Sequence, residues 1–161
     1  MAPDYFFRPM TAADLPLMLR WLETPEVVRW WGQPDEQYAL VSGDLDHPDM
    51  DQFIVAVDGH PFGYIQCYAI STWNQSFGAQ PPNTRGIDQF IGEPDMIGRG
   101  HGSSFIRQFV DTLLISGTPR VVTDPDPDNG RAVRAYAKAG FQSERLVDTP
   151  DGQALLMVRN P

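Results

Sequence analysis

The chain has one cysteine, Cys67, one lysine, Lys138, and three histidines. A single cysteine excludes an intramolecular disulfide and a multi-cysteine zinc site. His47, His60 and His101 lie too far apart in sequence to read as a metal motif, so no metal is expected. No apolar run approaches the roughly 20 residues that span a bilayer. Met1–Pro9 has no basic head followed by an apolar stretch, so no secretory signal is expected, and a cytoplasmic location fits. Basic residues are scarce, with Lys+Arg 12 against Asp+Glu 21 and a net charge of −9. So acidic a chain lacks the basic footprint for nucleic acid or an anionic membrane surface. Repeats and low-complexity blocks are absent, and the 15 prolines and 14 glycines are scattered as punctuation. Residues 1–161 therefore read as one domain, and 42% hydrophobic content is enough to build a core.

The acidity is uneven along the chain. Residues 1–80 hold 11 acids and 3 bases, a balance of −8, and residues 81–161 hold 10 acids and 9 bases, a balance of −1. Solubility alone would account for this. A division of labour is the sharper reading, with the acidic half drawing in a cation and the other half tolerating an anion. The acidic run Asp44, Asp46, Asp49, Asp51 lacks the glycine and terminal glutamate of a calcium loop and reads as solvated.

Periodicity lays out the elements. Tyr5–Arg8 reads as a strand. Thr11 caps a helix over Ala12–Leu22 that aligns Leu15, Met18, Leu19 and Leu22, with Pro16 early enough to be tolerated. Pro25–Trp31 and Asp35–Leu45 form a broken helical stretch. Gln52–Val57 and Gly63–Ile70 form a hairpin around Asp58-Gly59-His60-Pro61, and Ser71–Thr84 is a long loop. Gly86–Ile91 is a further strand. A helix with Phe105, Ile106, Phe109, Val110, Leu113 and Leu114 on one face follows, then a short strand at Arg120–Thr123. The helix Asn129–Ala139 stops at Gly140, and a last hairpin turns at Thr149-Pro150-Asp151-Gly152. Antiparallel and crossover connections are mixed, so the class is α/β (α+β) with one sheet.

Two segments carry chemistry. After the strand at 86–91 comes Gly98-Arg99-Gly100-His101-Gly102-Ser103-Ser104, opening a helix. Alternate glycines let backbone N–H groups converge where a helix N-terminus already points its donors outward, the local physics of a phosphate cradle. The same glycines also suit a tight turn that binds nothing. The pattern is neither a Walker loop nor a dinucleotide fingerprint. The second segment, Asn129 to Phe141, spaces Asn129, Ala132 or Val133, Tyr136 and Gly140 along one helical face. Asn129 serves equally as a helix cap, and Tyr136 as a packing residue.

Together these segments resemble the GNAT superfamily of acyl-CoA-dependent N-acetyltransferases. Ile97 stands where that superfamily usually has Gln or Arg before the glycine loop. Trp30-Trp31-Gly32, Gly63-Tyr64-Ile65-Gln66 with Tyr68, and Arg85-Gly86-Ile87-Asp88-Gln89 look like aminoglycoside 6′-N-acetyltransferases. So do Thr123-Asp124-Pro125, Tyr136-Ala-Lys138-Ala-Gly140-Phe141 and Thr149-Pro150-Asp151-Gly152. Siderophore-assembly acetyltransferases, which acylate hydroxylated lysine or ornithine, share part of the pattern. The loop Ser71–Thr84 departs from the aminoglycoside enzymes in having no Asp or Glu and a single tryptophan, Trp73.

The resemblance implies a GNAT-like fold with a mixed, mostly antiparallel sheet of about seven strands, two of them splayed around acetyl-CoA. It implies direct transfer of the acetyl group to a primary amine of a small polycation, with the 6′-amine of an aminoglycoside leading. The alternatives are a siderophore precursor or polyamine as acceptor, or a non-catalytic CoA-binding module. Asp88 would bind the amine and act as its base, directly or through water, and Tyr136 would serve the leaving thiolate. Coenzyme A would be held by Gln89, Phe90, Ile91, Gly98, Arg99, Gly100, His101, Gly102, Ser103, Ser104, Asn129, Ala132, Tyr136 and Lys138, with the Phe90 N–H the expected donor to the thioester carbonyl. Trp30, Trp31, Gln66, Tyr68, Asp88, Asp124 and Asp151 would border the substrate, aromatic faces and carboxylates both suiting a cationic sugar. Cys67 is expected to be a small buried residue. The protein would be a monomer or homodimer.

Overall fold

Strands and helices alternate along the chain in the computed structural model, which describes residues 3–73 and 76–161. Met1 and Ala2, from the expected N-terminal segment, and Asn74 and Gln75, from the loop Ser71–Thr84, lie outside the described residues. The strands are β1 (Tyr5–Pro9), β2 (Met50–Val57), β3 (His60–Ala69), β4 (Arg85–Ile91), β5 (Val121–Thr123), β6 (Gln142–Thr149) and β7 (Gly152–Arg159). The helices are α1 (Leu15–Leu22), α2 (Pro25–Trp31), α3 (Pro34–Gly43), α4 (Ile70–Trp73), α5 (His101–Ile115) and α6 (Gly130–Lys138). The strands form a seven-stranded mixed sheet of order β1-β2-β3-β4-β5-β7-β6. Among the described residues no helix is long and apolar enough to cross a membrane. The chain divides into two compact units, Met1–Gln66 with Gln89–Arg99, and Cys67–Asp88 with Gly100–Pro161.

The first unit begins with β1 antiparallel to β2, from Tyr5↔Val57 to Pro9↔Phe53. A short 3₁₀ turn over Ala12–Asp14 precedes α1. The Thr11 N–H donates to Asp14 Oδ2 at 2.9 Å, and the Arg8 guanidinium grips the same carboxylate at 2.8 and 2.9 Å. That hydrogen bond from Arg8 is the main reason the Asp14 carboxyl is held below its ordinary pKa. Pro16, Pro25 and Pro34 all sit in the first turn of their helices, where no N–H is missed. The expected stripe on α1 places Met18 and Leu22 in a core with Trp21, Val27, Val41, Ile54, Tyr64 and Phe90. The β2–β3 connection is two residues, shorter than the expected Asp58–Pro61 turn. Asp58 (φ 51°) and Gly59 (φ 79°) both take the positive φ of a tight hairpin, so the strand resumes at His60.

In the second unit β4 runs parallel to β5, with Arg85 opposite Val121 and Gly86 opposite Val122. β7 pairs antiparallel with both β5 and β6. The final turn is also two residues, Pro150-Asp151, because Thr149 pairs directly with Gly152. α5 buries Phe105, Ile106, Phe109 and Val110, while Leu113 and Leu114 are only half-buried. It packs on α6, and Arg159 of β7 ties both by donating to Asp111 and, at 3.0 Å, to the Ala139 carbonyl. Asn129 caps α6 by accepting from the Ala132 N–H at 3.2 Å, and Gly140 (φ 100°) follows its C-terminus, as expected.

Candidate active site

Three carboxylates gather in the second unit because of strand register. The parallel pairing of β4 and β5 runs through Gly86↔Val122, two residues before Asp88 and Asp124, and brings the two carboxylates close enough for the charge of Asp88 to act on Asp124. The junction is fastened by the buried Thr123 hydroxyl, which donates to the Ile87 carbonyl at 3.0 Å. The chain after Asp124 is held in turn, the Pro125 carbonyl accepting from the Leu155 N–H at 2.9 Å. Asp151 occupies the tip of the β6–β7 hairpin, steadied by its N–H to Thr149 Oγ1 at 3.2 Å. Burial, and then the negative charge of Asp88 with a smaller push from Asp151, raises the Asp124 carboxyl to about 8. Near neutrality Asp124 therefore holds a proton, and an arriving ammonium group can take its place.

Tyr68 closes this cluster from beneath. Its side chain is buried, 7% exposed, and it is hydrogen-bonded to Asp88. Burial first, then the charges of Asp88 and Asp124 and the proximity of Tyr136, push its phenol well above the ordinary value, so it is a donor throughout the working range. The expectation of an open aromatic face at Tyr68 is corrected by this burial: the residue offers its hydroxyl, and its ring meets Trp73 edge-on at 5.8 Å between centroids. Tyr136 is also buried, at 4% exposed, with Phe141 edge-on at 5.5 Å. Among the described residues no group of His, Cys, Asp and Glu is arranged to hold a metal ion.

The phosphate-cradle segment has the backbone it needs. Gly98 (φ 78°) and Gly100 (φ 83°) are both left-handed, and a Cβ added to either would meet nothing within 4 Å. Conformation demands glycine here, and the space beside the backbone is open to an approaching anion. α5 begins at His101, so Gly102, Ser103 and Ser104 lie in its first turn, and the left-handed residues of the glycine segment are Gly98 and Gly100. The Ser103 hydroxyl donates to the Gly100 carbonyl at 3.3 Å, and Arg99 is exposed. The donors and open backbone suit the pyrophosphate of a coenzyme. In α6 the Lys138 carbonyl accepts from Arg107, leaving the exposed ammonium as what Lys138 has to offer. Ala132 is half-buried beside the Asn129 cap.

The remaining expected residues belong to the first unit. Trp31 packs edge-on against Phe90 at 5.1 Å and Tyr64 at 6.2 Å, so it serves the core. Trp30 is half-buried, its indole N–H on Glu26 at 3.2 Å and its ring beneath Arg29 at 4.7 Å. Gln66 accepts from the Tyr64 hydroxyl at 2.7 Å. Gln89 and Ile91 are half-buried, and the Phe90 side chain is in the core.

Three features were missed in the sequence reading. One is the seat that Gly86 provides for Tyr68. Another is the Arg85 clamp on Cys67, with Nε to Sγ at 3.3 Å and Nη2 to the carbonyl at 3.2 Å. The third is the Thr123 bond. An isolated glycine inside a strand is a signal of close backbone approach and points to the first. The expected division of charge is also corrected. Asp88, Asp124 and Asp151 all come from the near-neutral half of the chain, Asp88 from within β4, Asp124 from just past β5 and Asp151 from the β6–β7 turn.

A family description, acetyltransferase (GNAT) domain, matches residues 10–149. An aminoglycoside N(6′)-acetyltransferase type 1 of Klebsiella pneumoniae is 34% identical over 162 residues, covering 94% of this chain and 81% of that protein. A kanamycin resistance protein of Rhizobium radiobacter is 42% identical over 79 residues, 48% of this chain and 73% of its own. Among solved structures, AAC(6′)-Ib in complex with ribostamycin and coenzyme A superposes with a TM-score of 0.87 at 31% identity, over 98% of this chain and 93% of that one. The same enzyme with coenzyme A and kanamycin gives 0.86 at 31%, over 98% and 95%.

Proposed function

The chain belongs to the GNAT acetyltransferase family, and from that premise we propose that it acetylates the 6′-amine of an aminoglycoside, using acetyl-CoA. We read residues 1–161 as one catalytic domain, since a single family description matches residues 10–149. The observation that carries the substrate class is the gathering of Asp88 and Asp124 around the buried phenol of Tyr68, with the charge of Asp151 bearing on Asp124. Several ammonium groups on one small ring system answer that charge. Relatives named for aminoglycoside acetylation support the same choice.

Acetyl-CoA fits the open backbone at Gly98 and Gly100, and when bound it supplies the acyl group as a thioester. The segments that would hold it are Gln89–Ile91, Gly98–Ser104 and the Asn129–Lys138 stretch. Asp88 holds the attacking amine as its ammonium and takes the proton, directly or through water, since only the neutral amine is nucleophilic. Asp124 gives up its own proton to hold a further ammonium group. With acetyl-CoA bound, the Phe90 N–H would donate to the acyl carbonyl oxygen and the Tyr136 hydroxyl would donate to the sulfur as the carbon–sulfur bond breaks.

The test is a thiol-release assay with acetyl-CoA across kanamycin, tobramycin, linear polyamines and hydroxylated diamines. Turnover with the aminoglycosides well above the others supports the reading. Turnover confined to polyamines or hydroxylated diamines overturns the acceptor, and no turnover with any amine overturns the activity.

A further inference from the structure

Gly86 lies in β4 two residues before Asp88, and it is buried. A Cβ placed on it would stand 2.5 Å from Tyr68 Cε2, 2.6 Å from Tyr68 Cζ and 2.9 Å from Ile70 Cδ1. Its φ is not in the left-handed region, so backbone conformation does not call for glycine here; the ring of Tyr68 does. The carbon pressed closest to the strand carries, or adjoins the one that carries, the phenol oxygen. The ring therefore lies across the backbone with its hydroxyl directed toward Asp88, to which it is hydrogen-bonded. Trp73 closes the ring edge-on at 5.8 Å. On the preceding residue of β3, Arg85 grips both the sulfur and the carbonyl of Cys67 at 3.3 and 3.2 Å, fixing that strand against β4.

We propose that Tyr68, seated on Gly86, is a positioning residue whose hydroxyl singles out Asp88 from Asp124 as the carboxylate that receives the amine's proton. This rests on the reading of Asp88 given above. The two are chemically equivalent carboxylates on neighbouring parallel strands, Asp88 midway along β4 and Asp124 just past the end of β5, and chemistry needs one of them anionic and oriented. A donor aimed at one member of such a pair breaks the equivalence, because a hydrogen bond to the charged form favours that form. The groups that act on the pair are Tyr68 from β3 and Asp151 from the β6–β7 hairpin, and Tyr136 from α6 acts on Tyr68. Asp151 repels the charge on Asp124, and Tyr68 supports the charge on Asp88, so both effects leave the proton on Asp124. Burial of the phenol keeps water from competing for the same carboxylate oxygen.

Tyr68→Phe removes the donor and keeps the ring, and Gly86→Ala keeps the donor and displaces the ring. Each is compared with wild type in pH profiles of kcat and kcat/KM with kanamycin, with KM for acetyl-CoA and thermal melting recorded in parallel. The expected result for Tyr68→Phe is a lower kcat, an acidic limb moved up by about one pH unit, and an unchanged KM for acetyl-CoA. Gly86→Ala is expected to move the limb in the same direction. An acidic limb that stays in place in Tyr68→Phe, with wild-type melting, overturns the proposal. If Gly86→Ala does not fold, Tyr68→Phe alone decides. Asp88→Asn separates the two levels: wild-type turnover in that variant removes the reading on which the proposal rests, whereas an inactive Asp88→Asn beside an unmoved Tyr68→Phe profile removes the proposal alone.

Discussion

The hydroxyl of Thr123 donates a 3.0 Å hydrogen bond to the carbonyl of Ile87, joining the last residue of β5 to the residue before Asp88. The two carboxylates whose charges interact, Asp88 within β4 and Asp124 just past β5, are each one residue away from this bond. Replacing Thr123 by the isosteric Val leaves a buried carbonyl without its donor, at about 1–3 kcal/mol. Urea unfolding should show that loss. Steady-state kinetics should show kcat falling with KM for acetyl-CoA unchanged, because the change loosens the carboxylates and leaves the glycine segment alone.

Asp124 makes stability depend on pH in an unusual direction. Its folded value is about 8 against an ordinary 3.8, so between those values the folded protein keeps a proton that the unfolded chain has lost. The folded state then binds more protons, and stability falls as pH rises through that window and levels off above it. Asp124→Asn removes the effect. Its melting temperature should exceed that of wild type at pH 8, at roughly 2–4 °C for each kcal/mol recovered in a chain of this size, and approach it near pH 4. A variant no more stable than wild type at pH 8 would contradict the buried, protonated Asp124.

Gly100→Ala isolates the backbone at the start of α5. No atom lies within 4 Å of the added methyl, so the cost arises from the positive φ of 83° and is roughly 1–2 kcal/mol. Relaxation of that strain turns the first-turn N–H groups. KM for acetyl-CoA should rise severalfold while KM for the amine stays the same, a split that initial-rate kinetics measures directly.

The carboxylate cluster should make amine binding sensitive to salt. Affinity for kanamycin, measured by calorimetry, should fall as ionic strength rises toward about 1 M, where the screening length is about 3 Å. Asp151 is the exposed member of the cluster, so Asp151→Asn should lower both the affinity and its salt dependence. A flat response in wild type would mean that the three acids do not face the substrate.

Local features were legible in the sequence because local physics decides them. The stripe of Met18 and Leu22, the Asn129 cap and the left-handed Gly140 were all readable from spacing. Asp88, Asp124 and Asp151 were each identifiable, but their meeting was not, since it depends on a parallel register between strands separated by a whole helix. The charge count misled for the same reason, because halves of a sequence are not halves of a structure. Adjacent tryptophans on a helix point about 100° apart, so Trp30 and Trp31 had to diverge, yet only the packing against Phe90 and Tyr64 shows that Trp31 is the core member. Both hairpin turns were read too long, since the positive φ at Asp58 and the direct pairing of Thr149 with Gly152 are set by strand twist and register rather than by residue type.

The central claim is that Asp88 carries the proton from the attacking amine, and the most direct measurement is the rate of acetyl transfer to kanamycin by Asp88→Asn under saturating acetyl-CoA. The account predicts a fall in kcat on the order of 10²–10⁴-fold. It also predicts coenzyme affinity equal to wild type, since the glycine segment and α6 are untouched. Turnover within a few-fold of wild type at neutral pH would contradict it.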